Sequence, residues 1–174
     1  FCEDRNTGEI LVGTDGAGLS IWNRSENVFR NYKYRYNDPS SLSHNSVTSI
    51  VQDYKGEIWL ATFGGGINRL NRASGTFKRY SCIDDSTGQN DKYTFLLYED
   101  HYKDLWVTAF DDGRLYRLNR EKDRFEVFFF HLTNLIALME DSRGQMWAGD
   151  AHNLIRIDRN NRSHIYYDMG KPVR

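Results

Sequence analysis

The side chains of this chain that could do chemistry are carboxylates, histidines and aromatic rings. Two aspartate pairs, Asp84-Asp85 and Asp111-Asp112, are adjacent in sequence, and adjacent residues on a strand point to opposite faces. Acid–base cleavage of a glycosidic bond needs two carboxyl groups converging at about 5–9 Å, so such a pair would have to come from separate segments. His44, His131 and His152 lack the H-x-x-H or H-x3-H spacing of a metal centre. There is no G-x-S-x-G nucleophile turn and no phosphate-binding loop. Asp4, Asp53, Asp100 and Asp141 each open a short glycine- or lysine-bearing turn. That is ordinary turn chemistry, one carboxylate per repeat, whereas a calcium site needs several oxygens close together. The reading therefore holds no catalytic residue, no metal and no cofactor. What remains is recognition.

Those turn aspartates expose the organisation of the chain. They recur at spacings of 49, 47 and 41 residues, and Trp59, Trp106 and Trp147 each stand six residues after one of them; Leu11 takes that place in the first copy, where the turn D-R-N-T-G is one residue longer. The stretch Ser46–Tyr80 shows the unit most clearly: strands over Ser46–Gln52, Glu57–Phe63, Ile67–Asn71 and Thr76–Tyr80, separated by D-Y-K-G, a Gly64–Gly66 turn and Arg72–Gly75. Third strands repeat as LSIWN, INRLN, LYRLN and LIRID. A period of roughly 40–50 residues with four strands is the signature of propeller blades. The spacing predicts an all-β chain of four four-stranded antiparallel blades, in units of about 1–45, 46–91, 92–131 and 132–174, with no helix longer than about two turns.

First strands are apolar on both faces, as in Thr94-Phe95-Leu96-Leu97, and fourth strands carry charge, as in Phe77-Lys78-Arg79-Tyr80. The first strand is expected to line the axis and the fourth the rim. The three tryptophans lie inside strands, which favours blade-to-blade packing over sugar stacking and predicts mostly buried, equivalent positions. Three successive phenylalanines, Phe128–Phe130, call for cover on both faces of that strand.

In a propeller, the loops after second strands and before first strands emerge on one face. That face receives Asp15, His44, Asn45, Phe63, Phe110, Asp111, Asp112, His131, Asp150 and His152. Aromatic rings beside carboxylates and amides suit a sugar, which offers an apolar ring face and in-plane hydrogen bonds; loop residues of these types also occur with no ligand. The segment Arg30–Tyr36 alternates basic and aromatic residues and fits a solvated rim strand, or contact with an acidic glycan or partner chain.

The totals bound the partners. A net charge of −1 and a pI near 6.6 give no electrostatic reason to expect nucleic acid or an anionic membrane. No apolar run approaches the roughly 18 residues that span a bilayer. Two cysteines make no disulfide framework. Phe1–Asp4 aligns with Ile50–Asp53, so the chain reads as a piece of something longer whose end faces lack a neighbour.

The run LSHNSVTSIVQDYKGEIWLATFGGGINRL at Leu42–Leu70 resembles the two-component regulator propeller repeat, with Asn45, Asp53, Gly56, Trp59, Thr62, Gly65 and Gly66 in the expected order. The likeness is looser in the other units, where Lys103 replaces the turn glycine and Ala109 and Asp150 stand in for Thr62. The resemblance implies an arc of a seven-bladed propeller from the periplasmic sensor region of a Bacteroidetes hybrid two-component system. It further implies an oligosaccharide ligand, an immunoglobulin-like module and a histidine kinase elsewhere in the protein, and a homodimer at full length. The expected function is ligand sensing without catalysis. The alternatives are a protein-binding scaffold propeller and a propeller lyase or hydrolase.

Overall fold

Strand two of each repeat decides how the blades assemble, because its residues alternate between two neighbours. A computed structural model describes residues 1–110, 113–129, 132 and 134–170. Blade 1 contains β1 (Cys2–Glu3), β2 (Ile10–Thr14), β3 (Gly18–Asn23) and β4 (Val28–Tyr32). Blade 2 contains β5 (Val47–Gln52), β6 (Ile58–Thr62), β7 (Gly66–Asn71) and β8 (Thr76–Tyr80). A short hairpin, β9 (Cys82–Ile83) and β10 (Asn90–Asp91), follows. Blade 3 contains β11 (Thr94–Glu99), β12 (Leu105–Ala109), β13 (Leu115–Asn119) and β14 (Arg124–Phe129). Blade 4 contains β15 (Ala137–Glu140), β16 (Met146–Gly149), β17 (Asn153–Asp158) and β18 (Ser163–Asp168). Each blade is an antiparallel meander in chain order, and the described residues contain no helix, hence none long and apolar enough to cross a membrane.

Packing follows the alternation. In β6, Ile58 and Leu60 join Leu11, Leu19 and Ile21 of blade 1, while Trp59 and Ala61 join Leu105, Val107 and Phe125 of blade 3. Trp106 on β12 faces Met146, Ala148 and Ile155 of blade 4 in the same way. With both faces covered, every residue of β6 and β12 is buried. First strands lie against one another across junctions, β1 against β5, β5 against β11 and β11 against β15. Fourth strands β4 and β18, in the first and last described blades, are exposed almost throughout, whereas β8 and β14 between them are partly buried, so charge alone does not set the exposure of the rim.

Two features depart from a plain repeat. Residues 82–91, counted by sequence with the second unit, contribute β9 and β10 to the outer edge of blade 3, through a parallel pairing of Cys82 with Phe125. A buried polar cluster holds the hairpin down. Arg114 Nη1 reaches both oxygens of Asp91 at 3.1 Å, and the Tyr116 hydroxyl donates to Asp91 Oδ2 at 2.7 Å. Burial pushes the Cys82 thiol and the Tyr116 hydroxyl well above their ordinary pKa ranges. The second departure is in β14. Leu115 pairs with Phe129 and Tyr116 with Val127, so Phe128 is an extra bulged residue. The bulge lets Phe128 and Phe129 both enter the junction with blade 4, Phe128 meeting the Trp106 indole edge-on at 4.8 Å. Phe130 lies outside the described residues.

Trp147 corrects one expectation. Trp59 and Trp106 are fully buried, but Trp147 is only half-buried, because it faces outward from blade 4 where the described chain places no further blade.

Candidate functional site

At one end of the arc the β2–β3 turn, the β6–β7 turn and the connection between blades 1 and 2 meet at Ser46. Its hydroxyl donates to Asp15 Oδ1 at 2.7 Å, its N–H donates to His44 Nδ1 at 3.1 Å, and its carbonyl accepts the Phe63 N–H at 2.9 Å. Asp15, from the β2–β3 turn of blade 1, thus meets His44, from the connection between blades, and Phe63, from the β6–β7 turn of blade 2. The glycine turns permit this approach. Gly64 adopts φ +115°, and a side chain there would press on the His44 ring at about 3.3 Å. The next connection supports the turn from behind: the Lys92 carbonyl accepts the N–H groups of Gly64 and Gly66 at 3.0 and 2.9 Å.

Beyond Phe63 the surface becomes aromatic. Its ring contacts Tyr93 at 4.9 Å and Phe110 edge-on at 5.9 Å, and Phe110 continues to Phe95 at 6.0 Å. Backbone bonds fix the rings' carriers: Phe63 bridges Tyr93, and the Phe110 N–H donates to the Tyr93 carbonyl at 2.8 Å. Phe63 and Tyr93 remain more than a third exposed. The result is an aromatic platform beside a carboxylate and an imidazole.

Several expected site residues do other work. Asn45 is a joint: its carbonyl accepts the N–H groups of Gly16 and Gly18, and its side-chain oxygen accepts the Tyr34 N–H at 2.7 Å. Asp150 is buried, and its Oδ1 accepts the N–H groups of His152 and Asn153 at 2.7 Å, closing its own turn. His152 is exposed in that turn, and its carbonyl accepts the Met169 N–H. Asp111, Asp112 and His131 lie outside the described residues. Tyr93, Phe95 and Ser46 were missed as site residues; a tyrosine at a strand start opposite a loop phenylalanine is the one signal that could have found the first.

The geometry offers binding groups. The Ser46 hydroxyl is engaged by Asp15 and not by His44, so these three residues do not form the serine–histidine–carboxylate relay of a nucleophilic enzyme. At the opposite end of the arc the turn aspartates each hold an indole: Asp53, Asp100 and Asp141 accept from Trp59, Trp106 and Trp147 at 3.1, 2.9 and 3.0 Å. The six-residue spacing is the chord of that hydrogen bond. The Trp147 N–H, then the Gln145 N–H, hold the Asp141 carboxyl below the usual aspartate range.

The fold defines an arc of β-propeller blades. Residues 41–64 match the model of the family described as two component regulator propeller, so the chain carries that repeat. No curated protein sequence matches the chain. Among solved structures, it is similar to the extracellular domain of a protein described as a hybrid two-component system of B. thetaiotaomicron, with TM-score 0.78 and 25% identity over 93% of this chain and 22% of that one. A second such extracellular domain from the same organism gives TM-score 0.78 at 20% identity over 95% of this chain and 24% of that one. Virginiamycin B lyase from Staphylococcus aureus shares the fold alone, with TM-score 0.68 and 12% identity over 97% of this chain and 58% of that one. The chain spans about a quarter or less of the length of the two extracellular domains.

Proposed function

We propose that this arc belongs to the extracellular, periplasmic ligand-sensing propeller of a hybrid two-component sensor and binds an oligosaccharide or similar ligand without transforming it. The observation that carries this reading is the platform of Phe63, Tyr93, Phe110 and Phe95 beside Asp15 and His44. Partly exposed rings present a flat apolar face, and the polar edge supplies a carboxylate and an imidazole for hydroxyl groups. The likeness to extracellular domains of hybrid two-component systems supports the same reading. Ligand binding would bias the relation of the propeller to its neighbours, an immunoglobulin-like module and a histidine kinase in the full-length protein, with the sensor acting as a homodimer.

The test is a binding screen of neutral and acidic oligosaccharides read by tyrosine and tryptophan fluorescence. Phe63→Ala is expected to weaken binding on the order of tenfold, the scale of one aromatic contact. Asp15→Asn should weaken it less. A glycan that binds equally well to wild type and to a Phe63→Ala/Phe110→Ala double variant would place the ligand elsewhere. Turnover of the polysaccharide would replace sensing with a lyase or hydrolase.

A further inference from the structure

The polar edge of the platform holds two side chains with opposite hydrogen-bonding roles, and Ser46 sets both roles. The Ser46 backbone N–H donates to His44 Nδ1 at 3.1 Å. A neutral imidazole has one nitrogen that accepts and one that carries the proton. With Nδ1 engaged as the acceptor, the neutral His44 ring carries its proton on Nε2. That nitrogen makes no hydrogen bond among the described residues, and the side chain is exposed. Gly64 supports the ring from the blade 2 side, close enough that a Cβ there would come within 3.3 Å of Cδ2 and Nε2.

The same serine holds the carboxylate. Its hydroxyl donates to Asp15 Oδ1 at 2.7 Å, and the two residues also bridge through their backbones. A hydroxyl has one proton to give, so Ser46 satisfies one of the two oxygens. Asp15 Oδ2 makes no hydrogen bond among the described residues, and Asp15 makes no ion pair among them. The edge thus combines one neutral donor, His44 Nε2–H, with one charged acceptor, the Asp15 carboxylate, whose charge no paired cation offsets. Both stand beside the partly exposed rings of Phe63 and Tyr93.

We propose that this edge selects a neutral sugar ring over an acidic one. One hydroxyl of the ring donates to Asp15, another ring oxygen accepts from His44 Nε2–H, and the apolar face of the sugar lies on Phe63 and Tyr93. Ser46 is the positioning residue for both polar contacts. A sugar carrying a carboxylate or sulfate is disfavoured, because its charge would face the unpaired Asp15 carboxylate at close quarters. The inference rests on the oligosaccharide reading of the platform and adds the charge class of the ligand and the role of each polar group.

The His44 role can be read without a ligand. In two-bond proton–nitrogen correlation spectra of the labelled chain, recorded above the ordinary histidine titration range, His44 is expected as the Nε2–H tautomer. An Nδ1–H tautomer overturns the proposal. The charge class is tested by calorimetry with gluco-, manno- and galacto-hexasaccharides, each beside its counterpart oxidised to the carboxylate at C6. A neutral hexasaccharide whose binding is lost in Phe63→Ala is expected to bind on the order of tenfold or more tighter than its oxidised counterpart. Asp15→Asn should bring that ratio close to one while costing the neutral sugar far less. Ser46→Ala should weaken the neutral sugar severalfold without changing the His44 tautomer, and Ser46→Thr, which keeps the hydroxyl, should restore it. Binding that depends on Phe63 but favours the oxidised sugar, or a ratio that Asp15→Asn leaves unchanged, overturns this proposal and leaves the platform as a sugar site. Binding of none of the hexasaccharides, or binding indifferent to Phe63→Ala, overturns the platform reading and this proposal with it.

Discussion

Trp59 and Trp147 occupy the same place in two blades and differ only in what lies beyond them. Each indole donates to the aspartate six residues earlier, at 3.1 and 3.0 Å, and each sits beside a tyrosine of its own fourth strand. Trp59 is then sealed by Phe125 of the next blade, with the Arg69 guanidinium 5.5 Å from its ring centre. Trp147 is left half open. The local contacts of a blade are thus complete before it meets a neighbour, and the neighbour supplies the burial. That is the behaviour of a repeat protein, whose stability is shared between units and their interfaces.

The comparison breaks most sharply on removing the rings. Trp59→Ala should cost about 3–5 kcal/mol, because the indole volume becomes a cavity between two rigid sheets. Trp147→Ala should cost less, about 2–3 kcal/mol, since the indole is half-buried and no described blade seals its outer side. Chemical denaturation of both variants decides it, and equal losses would show that cover by the next blade contributes little. The aspartates give a smaller contrast of the same kind. Asp53→Ala leaves the Trp59 N–H and the crossing Arg120 without their acceptor, at about 2–4 kcal/mol. Asp141→Ala has no crossing arginine to strand among the described residues and should cost less than Asp53→Ala.

These contrasts bear on what a sequence reveals. The strands, their order and the burial of Trp59 follow from alternation and turn residues, because both are local rules. The Asp-to-Trp spacing was visible, yet its cause was not, since a hydrogen bond from indole to carboxylate depends on the height of one strand above its turn. Arg72, Arg120 and Arg159 each follow a third strand, but nothing local says that they reach into another blade. The hairpin at 82–91 looked like a linker because its anchor, Arg114, lies more than twenty residues away from it in the chain. The end-face reading put Phe63, Phe110, Asp15 and His44 on loops that lie at one end of the arc in the structure. It could not separate them from Asn45 and Asp150, whose polar atoms are consumed by their own turns.

Acid sharpens the comparison further. The Asp4 carboxyl is held below 3.8 although burial acts against it, because Thr7, the Asn6 N–H, Arg72 and Gln52 outweigh that burial. Asp141 is held low first by the Trp147 N–H. A carboxyl depressed in the folded chain binds fewer protons there than when unfolded. Its stabilisation is therefore complete above about pH 4 and is lost as pH falls through the folded value. Wild-type stability should decline below about pH 4. Trp147→Phe, which removes the main support of Asp141 and leaves Asp4 untouched, should decline less steeply there. Parallel curves for the two proteins would show that the indole does not set the Asp141 proton affinity.

The smallest effect concerns the turns beneath those aspartates. Gly56 and Gly144 close them at φ +80° and +76°, and Lys103 closes the equivalent turn at φ +70°. A side chain in that left-handed region costs roughly 1–2 kcal/mol that glycine does not incur. Glycine in turn carries more freedom in the unfolded chain, which offsets roughly 0.5–1 kcal/mol of the gain. Lys103→Gly should therefore stabilise the chain by about 0.5–1 kcal/mol. The hydrogen bonds of the turn argue that nothing else is lost, since Lys103 contributes its backbone N–H to the Asp100 carbonyl at 3.0 Å, and a glycine keeps that donor. The Lys103 carbonyl also accepts from Arg120 at 3.5 Å, again through an atom common to both residues. A thermal midpoint that stays level or falls in Lys103→Gly would show that the left-handed lysine is unstrained, and that the glycines at 56 and 144 serve closeness to Asn6 and His101 and not backbone conformation.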